Sequence, residues 1–466
     1  MDVSHILLHS YSRQSPVEFY TDSLIFRPVR SRLSPALGSL RAPSFRWWFL
    51  SQVLSASGTM TQGVAQSWLV LRLTGSGLDL GILGSCYMLP VLLGGPWAGA
   101  LVDRVDRRRL LAVTQVLFIL LAGALAVLTF TGAVRVWMLF LLAFVTGAVS
   151  APDGAARQVY VLDLVGGERL ASAVSLNEVV INVSRVLGPA TGGIFLATLG
   201  VPFCFVANAV SYLPPLAVLL TQRRRAGRGA APIRRAPAGP GAVRAGLRYA
   251  WSTPALRYCL LMAAASGMLF NLGVGLPLLA TRTFHLGGGG YGLMMATFGV
   301  GGVAGALLAA SGRGMPSGRS VRLLALLTGI SILATAAAPL ASMAFAALGI
   351  TGALSIWFIA RANTLAQLRA APSMRGRVMG IWVMALPGAQ PITSPIVGFT
   401  AEAAGPRAGF GLAGAALLLA AAAGWRSLAD AGVATEPAAG VTAAPDRSRA
   451  DVAAGRPEAP ALQPTR

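Results

Sequence analysis

Asn177, Glu178, Asn182 and Arg185 stand out because they are polar residues set in the otherwise largely apolar stretch NEVVINVSRV. Positions 178, 182 and 185 are spaced i, i+4 and i+7, so on a helix they form one stripe. Counted from a helix start near residue 172, Arg185 lies roughly 20 Å deep. A charge at that depth of a bilayer costs on the order of 3 kcal/mol even on the lenient insertion scale. It must therefore face water or a partner. Its five N–H donors suit an anionic or acceptor-rich substrate, and the Glu178 carboxylate offers a proton-exchange site. Roughly 10 Å of axial separation keeps the two from pairing directly, which leaves Asn182 or water as the bridge. The same stripe also reads as a structural polar network that orients the helix.

A second set reads Gly99-Ala-Leu-Val-Asp103-Arg104-Val-Asp106-Arg107-Arg108-Arg109. Asp103 can accept hydrogen bonds from an arginine or face the positive end of a neighbouring helix. Such a contact joins two bodies on one side and breaks as they move apart, while Gly99 permits close helix packing. The plain alternative is a basic loop that only sets topology. A third set, Gly188-Pro189-Ala-Thr-Gly192-Gly193, removes one helix hydrogen bond and leaves a smooth face. Asp79 reads as an N-terminal capping or interfacial acid. Asn271 and Gln390 either line a cavity or bond between helices. Trp47, Trp48, Trp137 and Trp251 suit an interfacial belt.

Cys86, Cys204 and Cys259 lie far apart in apolar sequence, and His5, His9 and His285 make no metal spacing. No nucleophile or carboxylate pair recurs at catalytic spacing and no phosphate loop is present, so neither an enzyme nor an ATP-driven machine is expected.

The elements that hold these residues follow from composition. Of 466 residues, 55% are hydrophobic and 12% charged, against about 25% charged in a soluble chain. Apolar stretches long enough for a membrane helix recur at approximately 47–71, 78–102, 110–131, 134–156, 172–198, 201–221, 256–281, 290–312, 320–341, 343–365, 376–402 and 407–428. Ten-residue alternation, the mark of a barrel, does not occur. The reading is an all-α membrane protein with twelve transmembrane helices. Small-xxx-small pairs such as Gly95/Gly99 and Gly301/Gly305 would let the helices approach closely.

Every cationic residue among the 38 is arginine. With the N-terminus placed in the cytoplasm, only Arg72, Arg135, Arg282 and Arg407 fall in loops on the far side, so both termini are expected inside. The net charge of +22 is then a topology signal, with some attraction to anionic lipid and no call for nucleic acid. Residues 1–45 read as a cytoplasmic tail, 46–221 and 256–428 as two six-helix bundles, 222–255 as a cytoplasmic linker, and 429–466 as a disordered cytoplasmic tail. The halves echo each other: GERLASAV and PSMRGRVM follow the fourth and tenth helices, and Pro189-x-x-Gly192 answers Pro395-x-x-Gly398 at nearly the same offset.

The loop at 99–109 resembles the G-x-x-x-D-R-x-G-R-R signature of the major facilitator superfamily, with Asp106 where that signature has glycine. The 188–193 element is similar to the G-P-x-x-G-G of antiporter branches. VAQSWLVLRLTGS, DGAARQVYVLDLV and NEVVINVSRVLGPATGG resemble the branch of enterobactin exporters and drug or macrolide efflux proteins, over roughly residues 45–428. The resemblance implies two pseudo-symmetric six-helix bundles and proton-coupled export of a small organic molecule by alternating access. Asp103, Arg104, Arg107 and Arg108 would gate the cytoplasmic side; Glu178, Asn182 and Arg185 would face the cavity. It further implies a monomer in the bacterial plasma membrane, partnered by its substrate and membrane lipids, with the proton gradient as energy source and no cofactor. An uptake permease, or a receptor or scaffold without transport, are the other readings.

Overall fold

The computed structural model describes residues 38–166, 169–221, 242–311 and 315–429, and every regular element among them is a helix. The first half holds α1 (Pro43–Thr74), α2 (Gly77–Arg104), α3 (Arg107–Phe130), α4 (Val136–Val165), α5 (Leu170–Thr198), α6 (Val201–Ser211) and α7 (Leu213–Thr221). A short α8 (Ala242–Ser252) leads to α9 (Pro254–Leu269) and α10 (Leu272–Leu278), a pair bent by 44°. Then come α11 (Gly288–Ser311), α12 (Gly318–Ala337), α13 (Ala341–Arg369), α14 (Arg375–Ala385), α15 (Gln390–Ala403), α16 (Pro406–Ala423) and α17 (Trp425–Ala429).

All twelve apolar segments are helical, but among the described residues only nine helices are long and apolar enough to cross alone, or ten with the bent pair joined. The eleventh segment misses because Leu386–Ala389 divides it into helices of 11 and 14 residues. α1 misses on composition, and its burial pattern explains why. Ser51, Gln52, Ser55, Thr61, Gln62, Gln66 and Ser67 are buried, whereas Leu50, Leu54, Met60 and Leu73 are exposed. Water would invert that arrangement; lipid accepts the apolar face and leaves the polar face to bond inside. Asn208 Nδ2 donates to Gln62 Oε1 at 2.7 Å, and Gln66 Nε2 to the Leu139 carbonyl at 3.3 Å.

The two halves meet through two crossed pairs, α2 with α15 and α5 with α11. Both depend on bare backbone. A methyl on Gly193 would sit 3.0 Å from Gly292 Cα, and one on Gly81 would sit 2.5 Å from the Ser394 carbonyl oxygen. The sequence echo falls on these pairs, since Pro189 and Gly192 lie on α5 and Pro395 and Gly398 on α15. The fifth crossing of each half thus seals against the second crossing of the other, as an internal two-fold repeat requires. Gly292→Val should hold α5 and α11 apart, so a cysteine at Ala197 should react several-fold faster with an impermeant maleimide. An unchanged rate would contradict this packing.

Further contacts reinforce the same side. Asn271, at the α9–α10 break, donates to Thr393 Oγ1 at 3.0 Å and accepts from Ser394 Oγ at 2.6 Å. Glu402 Oε2 accepts from Ser76 Oγ at 3.0 Å and from the Leu78 amide at 3.1 Å. Trp68 stacks on Tyr291, their ring centroids 6.4 Å apart. Toward the arginine-rich side the halves part. There α4 packs on α1, α2, α3 and α5, while α13 and α14 pack on each other and on α8, α9, α11 and α12. The result is a cleft open to the arginine-rich side.

Several sequence expectations need correction. Gly99 has nothing within 4 Å of the position a Cβ would take, and neither has Gly95, so no close packing uses them here; Gly301 and Gly305 do lie on the α13 backbone. Trp48 is 2% exposed, with its ring 5.0 Å from that of Tyr160, so it belongs to the core rather than the interfacial belt. Asn271 bonds between helices. Part of the 222–255 linker is helical: α8 packs Gly246, Tyr249 and Ala250, one face of a turn, against its neighbours. Residues 1–37, 222–241 and 430–466 of the expected tails and linker lie outside the described residues.

Candidate functional site

α5 has two working faces. On one, Ser184, Gly188 and Gly192 fit against α1, where Thr61 Oγ1 donates to the Gly188 carbonyl at 2.9 Å. The other face carries Glu178, Asn182, Arg185, Pro189 and Gly193 in one stripe, since each step is three or four residues. The Pro189–Gly193 end of that stripe seals against Gly292 of α11. The remaining end continues below the seal, with Glu178 exposed and Asn182 and Arg185 half-buried. The stripe that meets the other half therefore continues below the seal on the same face of α5.

Arg185 stands at the point where the two helices diverge. Pro189 has no N–H, so the Arg185 carbonyl four residues earlier is left out of the helix ladder, and Gly299 of α11 lies against it. Among the described residues, neither the Arg185 guanidinium nor the Glu178 carboxylate has a hydrogen bond or ion pair. Asn182 does not bridge them: its Nδ2 donates to the Glu178 backbone carbonyl at 2.8 Å, closing on its own helix. No Asp or Glu occurs between Glu178 and Glu402, so the second half adds no acid to this wall. Gln390 is half-buried at the start of α15.

Among the described residues, Arg107 and Arg108 fasten the loop between α2 and α3 to the first half. Arg107 Nη1 meets both carboxylate oxygens of Asp163, at 3.1 and 3.0 Å. Arg108 donates to the carbonyls of Leu219 and Leu220 at the end of α7. Asp106 accepts from the Arg109 amide at 3.1 Å and so caps α3, which gives a reason for an acid at the glycine position of the resembled signature. Asp103 and Arg104 are exposed, and Asp103 has no hydrogen bond or ion pair among the described residues. Ser76 rather than Asp79 caps α2, accepting from the Asp79 amide at 3.2 Å.

One buried cluster escaped the sequence reading. Asp153, 5% exposed, accepts from Thr114 Oγ1 at 2.7 Å, Gln115 Nε2 at 3.1 Å and Arg157 Nη2 at 2.6 Å. Arg157 Nη1 in turn donates to Gln52 Oε1, so the cluster ties α1, α3 and α4 together. Its sequence signals are an acid and an arginine four residues apart, inside the family-like string DGAARQVYVLDLV. The apolar stretch stops at residue 156, which hides that both lie on one helix; α4 continues to Val165.

A helical protein with an inside-out burial pattern, crossed helix pairs between repeated halves and a one-sided cleft is a multi-pass membrane transporter. The chain belongs to the transmembrane secretion effector family of the major facilitator superfamily, whose family model matches residues 34–443. It is 31% identical over 357 residues to the multidrug efflux pump Tap of Mycolicibacterium fortuitum, covering 74% of this chain and 86% of that one. To the enterobactin exporter EntS of Citrobacter koseri it is 26% identical over 407 residues, covering 81% and 91%. A 34% match to the staphyloferrin A transporter of Staphylococcus aureus spans 38% of this chain and 44% of that protein. Among solved structures, a bacterial homologue of the lysosomal transporter Spinster, in an inward-facing and unoccupied conformation, gives a TM-score of 0.65 at 15% identity over 84% of this chain and 98% of that one.

Proposed function

We propose that the protein exports a small organic molecule, drug- or siderophore-like, by alternating access coupled to protons. The observation that carries this is the α5 stripe, which seals between the halves at one end and lines the open cleft at the other. A rocking motion about that seal would expose Arg185 to either side in turn. Arg185 offers its donors to an anionic or acceptor-rich substrate, Glu178 exchanges the proton, and Asp103 with Arg104, Arg107 and Arg108 gates the arginine-rich side. We place that side and both termini in the cytoplasm, by the distribution of arginine, and the chain as a monomer in the bacterial plasma membrane. The proton gradient serves as energy source, with no cofactor. The efflux and exporter functions of the relatives support the outward direction.

Inverted vesicles acidified inside test this reading with a panel of siderophores, macrolides and dyes. An exporter accumulates at least one of them, whereas uptake only by intact cells points to a permease. Glu178→Gln should abolish the pH-driven part of the flux while leaving substrate binding in place. Coupling that persists in this variant would remove Glu178 from the mechanism.

A further inference from the structure

The second half carries an unbalanced charge. Residues 179–401 contain no Asp or Glu, and its one bundle acid, Glu402, sits on the sealed side. Both ion pairs among the described residues, Arg107–Asp163 and Arg157–Asp153, belong to the first half. On the arginine-rich side, therefore, no helix of the second half offers a carboxylate to Arg244 or Arg248.

α8 gathers these arginines at the membrane border. It ends at Ser252, and α9 enters its span from Pro254. Its inner face is small and packed: a methyl on Gly246 would sit 2.9 Å from Arg377 Cβ, and Tyr249 OH accepts from the Ala371 amide at 3.1 Å. The opposite face carries Arg244, Leu247, Arg248 and Trp251, spaced i, i+3, i+4 and i+7. Leu247 is 47% and Trp251 54% exposed, and both arginines are exposed beside them.

We propose that this face of α8 is a docking surface for anionic phospholipid headgroups. Arginines interleaved with an aromatic and an aliphatic side chain at a span entrance match the headgroup–acyl boundary, where the cations meet phosphate and Trp251 and Leu247 enter the apolar edge. A soluble acidic partner would leave those two apolar side chains uncovered. The surface rests on the cytoplasmic placement proposed above and needs no substrate, so it is tested without transport.

Native mass spectrometry of the full chain in micelles, titrated with phosphatidylglycerol or phosphatidylcholine, reads the binding directly. The parent should retain phosphatidylglycerol in preference, and Arg244→Gln/Arg248→Gln should bind it roughly tenfold more weakly. Arg72→Gln/Arg407→Gln on the other side should bind like the parent. Melting temperatures equal to the parent's would confirm that both variants are folded. Equal retention of both lipids by the parent, or unchanged retention by the α8 variant, would overturn the proposal. So would displacement of the lipid from the parent by a peptide with this chain's sequence from 436 to 458, which would assign the surface to the chain's own tail.

Discussion

Arg185→Gln is expected to lower substrate efflux by about tenfold or more, because a charge-assisted hydrogen bond contributes about 1.5–3 kcal/mol and each 1.4 kcal/mol is tenfold. The same variant should be as thermally stable as the parent, or more so. Arg185 makes no hydrogen bond or ion pair among the described residues, so glutamine removes a membrane-depth charge without breaking one. The two readouts together separate a substrate contact from a structural network. A lower melting temperature with unchanged efflux would assign Arg185 to holding α5 in place.

Asp153→Ala should have the opposite profile. Removing the acid leaves Arg157 without its anion and strips Thr114 and Gln115 of their acceptor, in a cluster joining three helices. Breaking a buried pair costs about 3–5 kcal/mol. The lower end applies here, because the Arg157 side chain keeps 24% exposure against 7% for Asp153. The melting temperature should fall by several degrees, and Asp153→Ala/Arg157→Met should recover part of it. A variant as stable as the parent would contradict the role of this cluster as a clamp.

Much of this was legible before any coordinates. The lipid environment selects long apolar helices, so hydropathy locates most of them, although the buried polar face of α1 lowers its own signal. The stripe of Glu178, Asn182 and Arg185 followed from helical spacing, and the repeated proline and glycine motifs marked the two helices that seal the halves. What could not be read was pairing across the chain. Hydropathy ends a helix at its first charges, yet α4 runs about three turns past Asp153 because Arg157 answers that acid from the next turn. Gln52 gave no sign of joining them, being one of many polar residues on α1. Nor does the resembled loop signature say which of its residues are engaged: Arg107 and Arg108 hold the first half together, while Asp103 is exposed and makes no hydrogen bond or ion pair among the described residues. The break at Leu386–Ala389 was readable from its Pro-Gly pair, and the apolar residues around it concealed it.

Alternating access requires the seal and the opening to exchange sides. Spin labels at Val105 and Leu368 would report the separation of the halves on the arginine-rich side, and labels at Phe130 and Leu340 the separation on the other. Between acid and neutral pH, and on Asp103→Asn, the first distance should lengthen as the second shortens, or the reverse. Two distances that stay fixed under every condition, or that change together, would contradict the account.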